Sequence, residues 1–110
     1  MQDLKARIEK LTRGFEDFSK AFGLREKKEK FSQLEAKSAD PELWKDKDSA
    51  RRLMQELGSL GQEIKEIEDL GEEIGGLLEL SKKESFSDKP GKEIRDLEKR
   101  LEKLKFKTYF

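Results

Sequence analysis

Six carboxylates crowd one short stretch: Glu63, Glu66, Glu68, Asp69, Glu72 and Glu73. Paired carboxylates can divide general acid and base work, and a cluster of them can hold a hard divalent cation. Both tasks need convergence. Glu72 and Glu73 are neighbours on a helical pattern, so their side chains diverge, and exposed acids receive no pKa tuning. A solvated acidic face is the expected role. Lys27, Lys28 and Lys30 are the nearest thing to a phosphate-binding patch, but Glu26 and Glu29 interleave with them and again point to a solvated face. The chain has no His and no Cys. That removes the commonest general base, the commonest catalytic metal ligand and any disulfide. The glycines do not form a Walker or Rossmann phosphate loop, because their spacing is wrong and no strand precedes them. The expectation is a chain with no catalytic, cofactor-binding or metal-binding residues and no enzymatic activity of its own.

The elements that carry these residues are helical. Ala50, Leu53, Leu57, Leu60, Ile64, Ile67, Ile74 and Leu78 step by three and four, with Gly71 occupying the missing turn. This heptad seam predicts one unbroken helix from Lys47 to Glu84, the element on which the chain is organised. Met54, Leu70 and Leu77 widen the stripe, so the helix faces more than one partner. Gly58, Gly61, Gly71, Gly75 and Gly76 each oppose it by up to ~1 kcal/mol. Gly71 on the seam allows a backbone or a Phe to approach, and Gly75-Gly76 is the expected kink. Lys82 and Lys83 are expected in its last turn.

Before it, Leu4, Ile8, Leu11, Phe15, Phe18 and Phe22 line a helix from Gln2 to Phe22, with Asp3 in its first turn. Its polar face mixes acids with Lys and Arg, so the Phe stripe is expected to pack in a core rather than anchor to a membrane surface. Gly23 ends it. A shorter helix, Leu24 to Lys37, points Leu24, Phe31 and Leu34 inward.

Asp40-Pro41-Glu42-Leu43-Trp44 is the sharpest local signal. Pro41 suits a first helical position and Asp40 a cap. Asp46 is expected to cap the long helix, and Asp48 precedes Arg52 by four. Trp44, the only Trp, is expected to be mostly buried as a plug at the bundle end rather than exposed as a partner contact. Ser85 to Gly91 is a turn. Lys92 to Lys105 forms a last helix with Ile94, Leu97, Leu101 and Leu104 inward. Phe106 to Phe110 alternates like the start of a strand. The expected fold class is an all-α antiparallel helical bundle, coiled-coil-like, with residues 1–110 as one domain.

Of 110 residues, 45% are charged and 33% hydrophobic, and Lys plus Arg equals Asp plus Glu at 25 each. That balance suits long exposed helices better than a deep core. Residues 48–84 sum to −5, residues 1–47 to +2 and residues 85–110 to +3. Mutual attraction between helices explains this better than a charged docking face. No run approaches the ~20 apolar residues of a membrane span, and no signal-peptide core is present. The expected setting is the cytoplasm.

Three stretches carry a resemblance. Asp40-Pro41-Glu42-Leu43-Trp44-Lys45-Asp46 followed by Ala50, then Gly76-Leu77-Leu78-Glu79-Leu80 as a turn, then Leu101 to Thr108 as a junction to a second domain, together resemble the bacterial class I peptide chain release factors, in their release factor 2 branch. Gln2-Asp3-Leu4 also suits that family's N-terminus. Lys47 stands where the family usually has a second Pro, and the Phe15 to Phe22 stretch is less typical of it. The resemblance implies the N-terminal helical domain of a larger factor, with the natural chain continuing past Phe110. It implies translation termination: codon-specific factors that direct peptidyl-tRNA hydrolysis at UGA and UAA stop codons in the ribosomal A site. The codon-reading Ser-Pro-Phe and the Gly-Gly-Gln that reaches the peptidyl transferase centre are absent from this sequence. None of the family's functional residues can therefore be placed on it. The implied partner is the ribosome, at the base of the large-subunit stalk, with no sequence-specific nucleic-acid reading and no membrane. The other readings are a free-standing coiled-coil adaptor or scaffold and a membrane-surface helix protein, whose liposome binding would depend on Phe15 and Phe18.

Overall fold

The computed structural model describes residues 4–83, 86 and 90–110. All of its long elements are helices: α1 (Leu4–Phe22), α2 (Leu24–Ser38), a short 3-10 turn (Pro41–Lys45), α3 (Lys47–Ser81) and α4 (Gly91–Tyr109). There is no strand among the described residues. The all-α bundle expected from the periodicity is the observed fold class. None of the described helices is long and apolar enough to cross a membrane. Asp3, Gln2 and Glu84 lie outside the described residues, as do Ser85 and residues 87–89 of the expected turn.

The chain divides into two compact units, residues 1–22 with 67–110 and residues 23–66. α3 is a helix of 35 residues that contributes its N-terminal part to the second unit and its C-terminal part to the first. It passes Gly75 and Gly76 without leaving helical hydrogen bonding. Leu60, Ile64, Ile67, Leu70, Ile74 and Leu77 are buried along it. Burial of one such side chain contributes roughly 1.5–3 kcal/mol, against up to ~1 kcal/mol opposing the helix at each glycine. The seam therefore prevails.

In the first unit, α1 and α4 flank the C-terminal part of α3. Ile8, Leu11, Phe18, Ile67, Leu70, Ile74, Leu77, Ile94, Leu97 and Leu101 form its core. Contacts between α1 and α4 advance together. Arg7 meets Glu98, Gly14 lies beside Leu101 and Phe18 meets Tyr109. These two helices thus run parallel. α4 is antiparallel to α3, since Glu73 meets Arg100 at one end of a cleft that Leu80 and Glu93 line further along, and α1, parallel to α4 and touching Gly71 through Phe15, is antiparallel to α3 as well. Two helices antiparallel to a third must be parallel to each other. Leu70 and Leu77 are buried at 0% and 5% exposure because α3 is covered on two sides here, as the wide stripe predicted. Met54, by contrast, is exposed.

In the second unit, α2 packs on the N-terminal part of α3. Leu34, Leu60 and Ile64 are its buried centre, with Leu24, Phe31, Leu53 and Leu57 partly buried around them. Gly23 adopts the left-handed conformation, φ 77° and ψ 45°. Glycine takes it without the Cβ clash that other residues suffer. Its carbonyl then accepts from Lys27 N–H at 2.9 Å, opening α2.

Besides the one-residue extension of α2 to Ser38, three boundaries differ from expectation. Phe106 to Tyr109 is helix, not strand, because aromatics four apart meet on one helical face. The rings of Phe106 and Phe110 lie 5.2 Å apart, Tyr109 sets its ring edge-on to Phe18 at 6.3 Å, and Phe110 N–H donates to the Phe106 carbonyl. Those contacts outweigh the β-propensity of Thr108. α4 also begins at Gly91, one residue early. α3 ends at Ser81, so Lys82 and Lys83 lie beyond its last turn. The end tightens there. Ser81 Oγ donates to the Leu78 carbonyl at 2.6 Å, and Lys82 N–H and Lys83 N–H donate three residues back.

Candidate functional site

The turn that joins α2 to α3 is held by side-chain caps at both ends. Asp40, with extended backbone, accepts Glu42 N–H on Oδ1 at 3.0 Å. Pro41 fixes the first 3-10 position, where its missing N–H costs nothing. Five residues later a second Asp repeats the device. Asp46 Oδ1 accepts Asp48 N–H at 3.1 Å and Ser49 N–H at 3.4 Å, while Ser49 Oγ–H donates to Oδ2 at 2.7 Å. These bonds favour the carboxylate. They hold Asp46 below the usual carboxylate range, chiefly through the Ser49 hydroxyl, then Ser49 N–H, with help from Arg52. Both predicted caps are in place. Asp48 and Arg52, though correctly spaced, form no ion pair.

Trp44 corrects the expectation. It is 53% exposed, not a buried plug. Its indole N–H donates to the Ser38 carbonyl at 2.9 Å, closing the last turn of α2. A five-residue 3-10 segment is too short to carry the ring inward once its N–H is tied to that carbonyl. The Trp clips the turn and leaves half its surface in water.

Several of the charged side chains on α2 and α3 are paired. Lys30 pairs with Glu56 at 3.0 Å and Arg25 with Glu29 at 3.7 Å. Of the acidic stretch on α3, Glu73 is held by Arg100, and Glu66 accepts from Gln62 Nε2 at 3.3 Å. Among the described residues, no three carboxylates gather as a metal would require. Gly76 to Leu80 is not a turn but the last stretch of α3, with Leu77 buried and Leu80 exposed. Helical periodicity persists through it because Leu77 continues the stripe of Leu70 and Ile74.

Two glycines act as sockets for phenylalanines. A Cβ on Gly71 would lie 2.7 Å from Phe15 Cζ, and one on Gly61 would lie 2.9 Å from Phe31 Cε2. The first was foreseeable, since Gly71 interrupts the seam. The second was not read from the sequence. Its signal is Gly61 beside Leu60, at a place where α3 must accept a large side chain from α2. Arg7 and Glu98 were likewise missed, being 91 residues apart. They are joined at 2.6 Å, and the hydrogen bond to Glu98 raises the Arg7 pKa further above its ordinary value.

Fold and turn together define a class: an all-α bundle built on one long helix and entered through a doubly capped Asp-Pro turn. The chain belongs to the family of the PCRF domain, whose model matches residues 27–110. It is 29% identical to peptide chain release factor 2 of Corynebacterium glutamicum (strain R) over 96% of this chain and 30% of that protein. It is 33% identical to peptide chain release factor 2 of Haemophilus influenzae over 89% of this chain and 27% of that one. For peptide chain release factor 2 of Aliivibrio fischeri the identity is 32%, over 100% of this chain and 30% of that one. The chain thus spans about 30% of the length of these curated relatives. No solved structure matches it.

Proposed function

We propose that this chain is the N-terminal helical domain of a codon-specific peptide chain release factor of the release factor 2 type, acting in translation termination in the cytoplasm. The observation that carries the reading is the PCRF match over residues 27–110, joined to release factor 2 relatives that align over nearly the whole chain. The factor as a whole directs peptidyl-tRNA hydrolysis at UGA and UAA codons; this domain positions it near the base of the large-subunit stalk and reacts with nothing itself. Hydrolysis in a water-excluded centre depends on a precisely oriented group, and orientation supplies much of the barrier reduction. Asp40 and Asp46 are committed to helix caps, and Arg7 and Glu98 to an ion pair. Helices of alternating charge fit such a task through modest, salt-sensitive contacts.

A release assay tests it on ribosomes halted at a stop codon, using the isolated chain, a complete factor containing it and that factor without residues 1–110. The isolated chain is expected to release no peptide, and the shortened factor to bind or act less well than the complete one. Release by the isolated chain, or a shortened factor as fast and as tightly bound as the complete one, would overturn the reading.

A further inference from the structure

Within the first unit, a groove of about 520 Å³ runs between the end of α3 and the start of α4. Its floor is apolar. Leu77 and Leu97 are core residues, and Leu80 beside them is still 48% exposed. Gly76 lines it too, and a Cβ there would meet nothing within 4 Å. At Gly61 and Gly71 a phenylalanine ring fills the space that glycine leaves. At Gly76 nothing fills it, although glycine inside a helix opposes that helix.

The rim is one-sided in charge. The ion pair of Arg100 and Glu73 closes one end and is neutral as a pair. Glu93 and Asp96 stand on the α4 side, exposed and in no ion pair among the described residues. Glu93 also suits the first turn of α4, near the positive end of the helix dipole. Asp96 lies beyond that turn, where the dipole has faded. Lys92 and Arg95 are their neighbours in the chain but do not line the groove. Its uncompensated charge is therefore negative. Arg100, the lining residue nearest Phe110, is roughly 15 Å from it along α4, and the aromatic end of that helix takes no part.

We infer that this groove receives a short amphipathic helix of a partner protein. That helix sets an apolar side chain against Gly76 and Leu80, and Lys or Arg side chains against Glu93 and Asp96. A furrow between two helices accepts the ridge of a third. From Glu73 to Leu80 the groove spans about two turns, enough for anchors three or four residues apart. The bare backbone at Gly76 lets the incoming helix come close. Charge selects the kind of partner. The rim repels phosphates of nucleic acid or lipid and attracts cations. Among the described residues no three carboxylates gather to hold a metal ion instead. The inference stands on the first unit alone and makes no use of the termination reading.

Two fluorescein-labelled amphipathic peptides serve as probes, one of Leu, Ala and Lys and one of Leu, Ala and Glu in the same pattern. Affinity for the 110-residue chain is read by anisotropy over a salt series. The Lys peptide is expected to bind and the Glu peptide to fail. Glu93→Gln/Asp96→Asn should weaken the Lys peptide roughly 2- to 30-fold and flatten its salt dependence. Leu80→Ala should weaken it about 5- to 30-fold with the salt dependence kept. Gly76→Gln, which puts a long side chain into open space, should block it. Glu9→Gln/Glu16→Gln, exposed carboxylates of α1, should change neither affinity nor salt dependence. All the substituted residues are exposed, so circular dichroism should report intact helices.

Equal binding of the two peptides, or a Lys peptide indifferent to both Glu93→Gln/Asp96→Asn and Gly76→Gln, would overturn the inference. So would a loss as large in Glu9→Gln/Glu16→Gln. Self-association of the chain that Glu93→Gln/Asp96→Asn abolishes, read by sedimentation, would make a second copy the occupant and overturn it too. Binding by the isolated chain but not by a complete factor containing it would do the same, because the groove would then be covered within the factor. The release assay is independent. Failure of the peptide leaves it untouched, and dispensability of residues 1–110 in release leaves the peptide result standing.

Discussion

The ring of Phe15 occupies the place where a side chain at Gly71 would begin. A Cβ there would sit 2.7 Å from Cζ and 2.8 Å from Cε2. The glycine is what lets α1 approach α3 at this level. Gly71→Ala should therefore destabilise the protein, overpacking costing about 1–3 kcal/mol, partly offset by the better helix propensity of Ala. In a Phe15→Ala background the same substitution should become neutral or favourable. Urea unfolding of the four proteins gives the coupling. A penalty that survives loss of the ring would refute the socket.

Gly58 supplies the contrast. Nothing lies within 4 Å of a Cβ added there, and the residue is inside a helix. Gly58→Ala should raise stability by up to ~1 kcal/mol, read as a higher urea midpoint with unchanged slope. A loss would show that the position has a contact the geometry does not reveal.

Leu70 and Leu57 both belong to the apolar stripe of α3, but only Leu70 is fully buried, at 0% exposure. Leu70→Ala should cost about 2–5 kcal/mol as a cavity opens in the first unit. Leu57→Ala, on a half-covered side chain, should cost clearly less. Equal losses would mean that the two units are covered alike.

Trp44 should emit like a solvated indole, red-shifted and open to iodide quenching, since 53% of it is exposed. Trp44→Phe removes the hydrogen bond to the Ser38 carbonyl and should loosen the end of α2 with little effect on the cores. Faster amide exchange confined to residues around 36–46 is the expected signature. Blue-shifted, iodide-protected emission would contradict the observed exposure.

Asp46 gives a pH dependence with a definite sign. Its pKa is lowered in the folded protein. The unfolded chain thus binds the proton more tightly, and Asp46 stabilises the fold above the unfolded value of about 3.9. That contribution is lost as pH falls through the lower folded value. Thermal melts of the wild type and Asp46→Ala should differ most above about pH 5 and converge on acidification below about pH 4. A gap that widened in acid would reverse the assigned cause.

Much was legible in the sequence because it is local. Apolar periodicity located the four α-helices among the described residues. Asp40, Pro41 and Asp46 specified their turn through contacts two or three residues away, and Gly23 marked a backbone conformation that glycine adopts freely. The absence of His and Cys, and the alternation of charges, were matters of composition. What only the tertiary structure decided depends on residues distant in the chain. Gly61 became a socket because Phe31 comes from another helix. α1 and α4 run parallel because each is antiparallel to α3, a relation that periodicity on either helix does not contain. Phe106 to Tyr109 stayed helical because Phe18, some 90 residues earlier, receives Tyr109 edge-on. Trp44 stayed in water because a 2.9 Å hydrogen bond to Ser38 fixes its ring at the turn. Periodicity states which face a helix buries. Against which neighbour, and whether a large side chain at the end of an element is covered, is settled only when the helices meet.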